Sequence, residues 1–357
     1  MSKYQFRNIG SMPTDEYWKE RFNFTQKIGD RTQEEMLAYL KKTYTETLQE
    51  INKEIEAFYG RYAEKNGLTL ADVKKRLNPE ELKSAKHEIN KYYSEVDKLA
   101  RTANGKVSVK LLRKYKEQLR LQSARAYMSR LEDLKTRINH NLVKMGVEED
   151  NTLHKGLYES AKYSYDKSAY ELSKYMGFAN NISDTQFEKM VNEQWLGRNF
   201  SDSVWENKGK LEQQLEKTFL TGVMRGQNPK KIASEMQKNM GGEYYRCSRL
   251  VKTELNHIQN EATFKTYKDY GVKRYEFLCG EDERSCPFCV SLDGTDWALN
   301  EKEIGINHPP IHPNCQCTTV PYFEEDEIDK FFDENPDYEV PADMSYSDWL
   351  EMVYNQK

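Results

Sequence analysis

Cys286-Pro287-Phe288-Cys289 and His312-Pro313-Asn314-Cys315-Gln316-Cys317 are the residues of this chain whose types and spacing could do chemistry. Thiolate and imidazole bind zinc as a tetrahedron, and a Cys-x-x-Cys turn supplies two ligands from one knuckle. Twenty-two residues separate the first pair from the second cluster, which can supply the other two. Cys286, Cys289, His312 and Cys317 form the preferred set, with Cys315 as its substitute and His308 nearby. Five donors for four places leave that choice open. A closed set of four ligands leaves no position for water, so the expected zinc is structural. The alternative is a thiol pair or disulfide without metal. No cysteine precedes Cys247, and Met1–Arg7 contains no apolar leader segment. Metal is therefore expected over a disulfide framework.

Catalytic patterns fit poorly. A zinc deaminase uses H-x-E followed by P-C-x-x-C. Here Pro287 lies inside the cysteine pair, and His257 is followed by Glu261. The H-E-x-x-H helix, the phosphate-binding P-loop, G-x-G-x-x-G and G-x-S-x-G are absent from the sequence. Lys252, Thr253, Glu254, Asn256 and His257 form a polar cluster just upstream. Thr253 and Glu254 are expected to hydrogen-bond to the Cys/His lobe; an acid–base role is the alternative. Asp282, Glu283 and Arg284 are expected to steady the knuckle.

The elements that must position these residues are mostly helical. Arg274–Leu278 and Thr318–Tyr322 read as two strands flanking the Cys/His loop, with Pro321 near the end of the second. So small a lobe is short of apolar surface, a deficit that zinc would offset. Upstream, Tyr44, Leu48, Ile51, Ile55, Phe58 and Tyr62 recur at spacings of four and three, as one helix face. Thr69 with Asp72 resembles a helix cap. Asn78-Pro79-Glu80-Glu81 opens a helix running to about Ala103. Val107 to Met145 reads as a single helix of about 55–60 Å, followed by a Tyr-rich helix over 151–180. Ser183 with Gln186 caps the next. Gly226-Gln227-Asn228-Pro229 ends one helix and opens another, which Gly241-Gly242 is expected to close before a last helix over Cys247–Tyr270.

Composition agrees with this outline. Of 357 residues, 37% are apolar and 31% charged, against about 25% charged in ordinary domains. Long amphipathic helices with narrow apolar stripes accommodate that balance. No run of 18 apolar residues is present, so no membrane span is expected. The net charge of −4 hides an asymmetry. Glu324–Lys357 holds twelve acids and two lysines, a net −10, whereas Arg101–His140 holds eleven cations and three acids, a net +8. Such blocks mark solvated faces or interaction surfaces. Lys110, Arg113, Lys114, Lys116, Arg120 and Arg125 are the candidate contacts to nucleic acid or an acidic protein surface. The expected fold is mainly α: a long-helix N-terminal bundle or stalk, then a helical segment and a small α+β, zinc-stabilised C-terminal lobe. The expected divisions are a charged helical region over 1–180, a domain with the Cys/His loop over 181–323 and an acidic tail over 324–357.

Lys252-Thr253-Glu254-Leu255-Asn256, Asp282-Glu283-Arg284-Ser285-Cys286-Pro287-Phe288-Cys289, Leu292-Asp293-Gly294 and Pro309-Pro310-Ile311-His312-Pro313-Asn314-Cys315-Gln316-Cys317 together resemble the phage minor head protein family, also called the head morphogenesis or Mu F-like family. That family commonly carries Arg where Lys252 and Gln316 stand here. Tyr17-Trp18-Lys19-Glu20-Arg21, Ile55–Tyr59, Arg130–Leu134, Phe200–Trp205 and Met344–Leu350 are similar to segments of minor capsid proteins of tailed phages and prophages, so the resemblance spans nearly the whole chain. It implies a non-enzymatic component of the virion or procapsid, inside the head near the portal vertex, made in the host cytoplasm. The implied partner is the portal protein. Major capsid or scaffolding protein and packaged double-stranded DNA are further candidates, with roles in head assembly and genome ejection. The alternatives are a zinc-dependent enzyme acting on nucleic acid, and a toxin-associated module, which would carry an appended effector domain; the chain is expected to have no room for one.

Overall fold

The computed structural model describes residues 6–8, 15–64, 67–104, 106–176, 182–279, 286–324, 339–341 and 345–354. Helices α1 (Asp15–Tyr62), α2 (Leu70–Lys74), α3 (Pro79–Thr102), α4 (Lys106–Ser123), α5 (Arg130–Met176), α6 (Asp184–Val191), α7 (Phe200–Met224) and α8 (Pro229–Tyr270) account for most of it. The chain forms two compact units. Residues 1–35, 155–193 and 249–357 build the first, and residues 36–154 and 194–248 the second. Among the described residues no helix is long and apolar enough to cross a membrane.

The first unit holds a small antiparallel sheet. β2 (Arg274–Leu278) is central, between β3 (Asp296–Ala298) and β4 (Thr318–Tyr322). Sequence pattern anticipates β2 and β4 but not β3, which at three residues is too short to show a period of two. Tyr275, Leu278 and Val320 of the sheet pack with Trp18, Phe264 and Tyr267 in one core. A short helix, α9 (Pro287–Leu292), lies between β2 and β3. Within the acidic segment, β5 (Glu339–Pro341) pairs antiparallel with β1 (Phe6–Asn8), and α10 (Tyr346–Tyr354) buries Trp349. Residues 325–338, 342–344 and 355–357 of that segment, and Asp282, Glu283 and Arg284, lie outside the described residues.

In the second unit the stripe on α1 is core, as its spacing predicts. Tyr44, Ile51, Ile55, Phe58 and Tyr62 are buried, and Leu48 is half-buried. Phe58 meets Phe219 of α7 edge to face at 5.6 Å. The predicted caps form: Thr69 with Asp72 and Asn78 with Glu81 exchange reciprocal hydrogen bonds.

Three helix boundaries differ from expectation; one is the predicted gap between 145 and 151, which α5 crosses unbroken from Arg130 to Met176 because Met145, Val147 and Leu153 are buried along it. The predicted helix over 107–145 is two helices, because residues 124–129 leave the helical path to pair with 75–77. Leu77 N–H donates to the Met128 carbonyl at 2.9 Å, and Arg130 N–H to the Lys75 carbonyl at 3.0 Å. Ser129 then caps α5. Its hydroxyl accepts from Glu132 N–H at 3.2 Å, and its own N–H donates to the Glu132 carboxylate at 2.8 Å. This Ser-x-x-Glu box was visible in the sequence and marks the break. Conversely, α8 runs straight through Gly241-Gly242. Met236, Met240, Cys247 and Val251 are all buried along it. Their burial outweighs a helix penalty of about 1 kcal/mol per glycine.

Candidate metal centre

The Cys/His loop is braced from two sides within the first unit. On α8, Asn256 Nδ2 donates to the Cys317 carbonyl at 2.9 Å and Asn260 Nδ2 to the same oxygen at 3.3 Å. Thr253 Oγ accepts from Asn314 N–H at 3.2 Å. The polar residues Thr253, Asn256 and Asn260 recur three and four apart, so they share one helix face. Asn260 was not singled out from sequence, though its spacing from Asn256 was the available signal. Glu254 and His257 are also buried. On the sheet side, Asp293 accepts from Cys279 N–H at 2.8 Å, and Gly294, with φ of 73°, turns its N–H onto the Phe277 carbonyl at 3.0 Å. That is the structural work of the Leu-Asp-Gly motif.

The knuckle follows from helix chemistry. Cys286 is the N-cap of α9, Pro287 opens the helix, and Cys289 N–H donates to Cys286 Sγ at 3.3 Å. That N–H is the main cause holding the Cys286 thiol below its ordinary range. On the second arm, Cys315 N–H closes a turn onto the His312 carbonyl at 3.1 Å, and Asn314 takes the left-handed φ of 62° that Asn tolerates. His312 Nδ1 donates to the Pro313 carbonyl at 3.0 Å. The tautomer is thereby fixed, and Nε2 is left as an acceptor 3.4 Å from Cys289 Sγ.

All five predicted donors meet. Cys286, Cys289 and His312 form one group, and Cys289, Cys315 and Cys317 another, each with donor atoms within 4.8 Å of one another. Cys289, Cys315 and Cys317 are buried; Cys286 and His312 are partly exposed. Burial pushes the Cys289 thiol up to about 12. Hydrogen bonding from the Cys317 thiol, then from backbone N–H groups, pulls Cys315 down to about 5. A cation among them would favour thiolate throughout. A cavity of about 260 Å³ borders both arms and is also lined by Lys252 and Gln33.

His308 is not part of the cluster. It packs edge-on against Phe264 and Tyr275, with ring centroids at 5.2 and 5.6 Å, and its Nδ1 donates to the Pro309 carbonyl. Burial holds it neutral, and His257 is likewise pushed down to about 3 by burial. Neither His257 nor Glu254 lines the cavity at the cysteines.

The predicted basic contacts lie in the second unit, on α4 and the turn after it. Lys116 pairs with Asp97, Arg120 with Glu117 at 2.6 Å and Arg125 with Glu132 at 2.9 Å. Lys110, Arg113 and Lys114 are exposed and make no ion pair among the described residues. Lys110, Lys114 and Arg125 also line a groove of about 860 Å³ with Lys135 and Lys208, where Glu132, Glu206 and Glu212 temper the charge.

Residues 213–320, which include all the Cys/His donors, match the profile of a family described as Phage Mu protein F like protein. A curated relative, NAD(+)–arginine ADP-ribosyltransferase EFV of Enterococcus faecalis, is 23% identical over 184 residues, covering 47% of this chain and 37% of the relative. The chain thus matches well under half the length of that relative. No solved structure matches.

Proposed function

We propose, from the premise that residues 213–320 belong to the phage Mu protein F like family, that this chain is a minor head protein of a tailed phage or prophage. It acts inside the head at the portal vertex and assists head assembly. The portal protein is its main partner, with major capsid or scaffolding protein and packaged DNA as further contacts. The observation that carries this proposal is the family match itself, because the matched segment includes the complete Cys/His loop and the α8 residues that brace it.

The role is structural rather than catalytic. The Cys/His cluster fits zinc. Its donors are sulfur and nitrogen, the His312 tautomer presents Nε2, and the 3.4 Å from Cys289 Sγ to that nitrogen is close to one edge of a zinc tetrahedron, about 3.6 Å. Zinc would tie α9 to the His312–Cys317 arm and so close the lobe. A hydrolytic or deaminating centre needs an acid–base group beside the metal, and Glu254 and His257 are buried outside the cavity. The transferase activity in the relative's name belongs to that protein, and none is assigned to this one. Exposed Lys110, Arg113 and Lys114, with the paired Lys116, Arg120 and Arg125, are the surface offered to DNA phosphates or to acidic portal side chains.

The test is deletion of the coding sequence from the phage or prophage that carries it. Defective or empty heads are expected, restored by supplying the chain in trans. Normal yields of infectious particles would count against the proposal.

A further inference from the structure

Three helices of the second unit line one groove, and each gives it a stripe of its own. From α4 come Val107, Leu111, Lys114, Gln118 and Leu121, at spacings of four, three, four and three. Trp205, Gly209 and Glu212 of α7 recur at four and three, and Asn139 and Val143 of α5 at four. Stripes of that period are what one helix presents to another. On α4 the neighbouring Leu119 is buried in the fold, whereas Leu121 keeps 54% of its surface exposed. The groove's volume of about 860 Å³ matches about two turns of α-helix, taken as a cylinder about 10 Å across with a pitch of about 5.4 Å. Its walls are fastened in place. Trp205 Nε1 donates to Ser108 Oγ at 2.7 Å, joining α7 to α4, and Lys208 Nζ donates to Asn139 Oδ1 at 2.7 Å, joining α7 to α5.

Two further features say what fits there. Gly209 stands in the middle of α7, where glycine is about 1 kcal/mol worse than alanine. A Cβ at Gly209 would meet no described neighbour beyond its own helix within 4 Å. Packing within the chain therefore does not call for glycine, but the close approach of another backbone does. Charge in the groove is one-sided. Glu132 pairs with Arg125 at 2.9 Å, Glu206 with Lys210 at 2.5 Å and Glu212 with Lys208 at 3.6 Å. Asp202 caps α7, accepting from Asn199 N–H at 3.3 Å. Lys110 and Lys114, both on the α4 wall, make no ion pair among the described residues. We propose that the groove docks an amphipathic α-helix of a partner protein. Apolar residues three and four apart on that helix pack on Leu111 and Leu121, its backbone passes Gly209, and acids on one flank meet Lys110 and Lys114. Apolar walls give a phosphate backbone nothing to hold, so the groove favours protein over DNA. Arg113 does not line it and stays with the surface offered to phosphate. The inference deepens, and rests on, the reading of α4 as a partner surface.

The photo-crosslinking residue p-benzoylphenylalanine, placed at position 121 of the full chain in cells producing the phage or prophage that encodes it, tests the proposal. The expected product joins position 121 to another protein, at a segment where acids flank apolar residues three and four apart, as mapped by mass spectrometry. Gly209→Leu fills the groove and should abolish that product, while the melting temperature holds or rises because leucine favours helix over glycine. Lys110→Glu with Lys114→Glu should lower the yield about tenfold, as two rim pairs turn repulsive. Should Gly209→Leu melt below wild type, the charge variant decides. Cross-linking to DNA, to a second copy of this chain or to a segment without acids would overturn the proposal. So would no product, or one that neither variant diminishes. The product is read in the cell, so a chain missing from finished particles would sink the head assignment and leave the groove standing. An overturned groove likewise leaves the head assignment standing.

Discussion

His312 shows how a backbone contact prepares a side chain for chemistry. With Nδ1–H given to the Pro313 carbonyl, Nε2 can only accept, and it points at Cys289. Replacement of Cys286 by Ser should therefore unfasten the knuckle from the His312 arm. Structural zinc contributes on the order of 10 kcal/mol to small domains, so loss of one ligand should expose β2–β4 to protease while the second unit stays folded. Unchanged protection of residues 274–322 would contradict this. A second buried group makes a pH prediction. Glu149 is 3% exposed, accepts the Tyr44 hydroxyl at 2.6 Å and, through burial, is raised from 4.5 to about 7. A carboxyl whose folded value is raised stabilises the fold below its unfolded value and loses that contribution as pH climbs through the folded one. Glu149→Gln should thus match wild type near pH 4 and exceed it above pH 7 by on the order of 3 kcal/mol. Thermal melts at both pH values check it, and equal stability at pH 8 would refute it. The donor residues were legible because ligand spacing is local. Glu149 was not legible: an acid in a highly charged helix looks solvated until α1, α5 and α8 are seen to bury it.

Helix starts were easier to read than helix ends. Caps at Thr69 and Asn78 form from short-range hydrogen bonds that a sequence displays directly. Gly241-Gly242 looked like an end, but a buried face with 42 residues of continuous helix overrides local preference. The break at 124–129 depends on a bridge between Arg76 and Ser129, a long-range pairing that periodicity does not reveal. Because of that break the basic run is divided, and its part on α4 presents Lys110, Arg113 and Lys114, which make no ion pair among the described residues. Replacing Lys110, Arg113 and Lys114 together by Ala should lower the slope of log affinity against log salt for duplex DNA by about 2 to 3. Fluorescence anisotropy over a salt series measures it. An unaltered slope, or salt-independent binding by wild type, would remove DNA as the partner of this face and leave an acidic protein surface.

The molecule as a whole combines two largely helical units, each assembled from separated stretches of chain, and places the Cys/His cluster in the first. The mainly α character and the small C-terminal sheet were legible from composition and from the β2 and β4 patterns. The interleaving of the chain was not, because it arises from contacts between distant segments and leaves no local mark. The resemblance to the head morphogenesis family was carried by the motifs around the cysteines, and residues 213–320, which contain them, match the profile of a family described as Phage Mu protein F like protein. The central claim is that such a chain is built into phage heads in low, fixed number. Quantitative mass spectrometry of purified procapsids and mature particles, from the phage or prophage that encodes the chain, tests this most directly. A constant ratio to the portal protein, well below that of the major capsid protein, is the predicted result. Absence from both kinds of particle would contradict it.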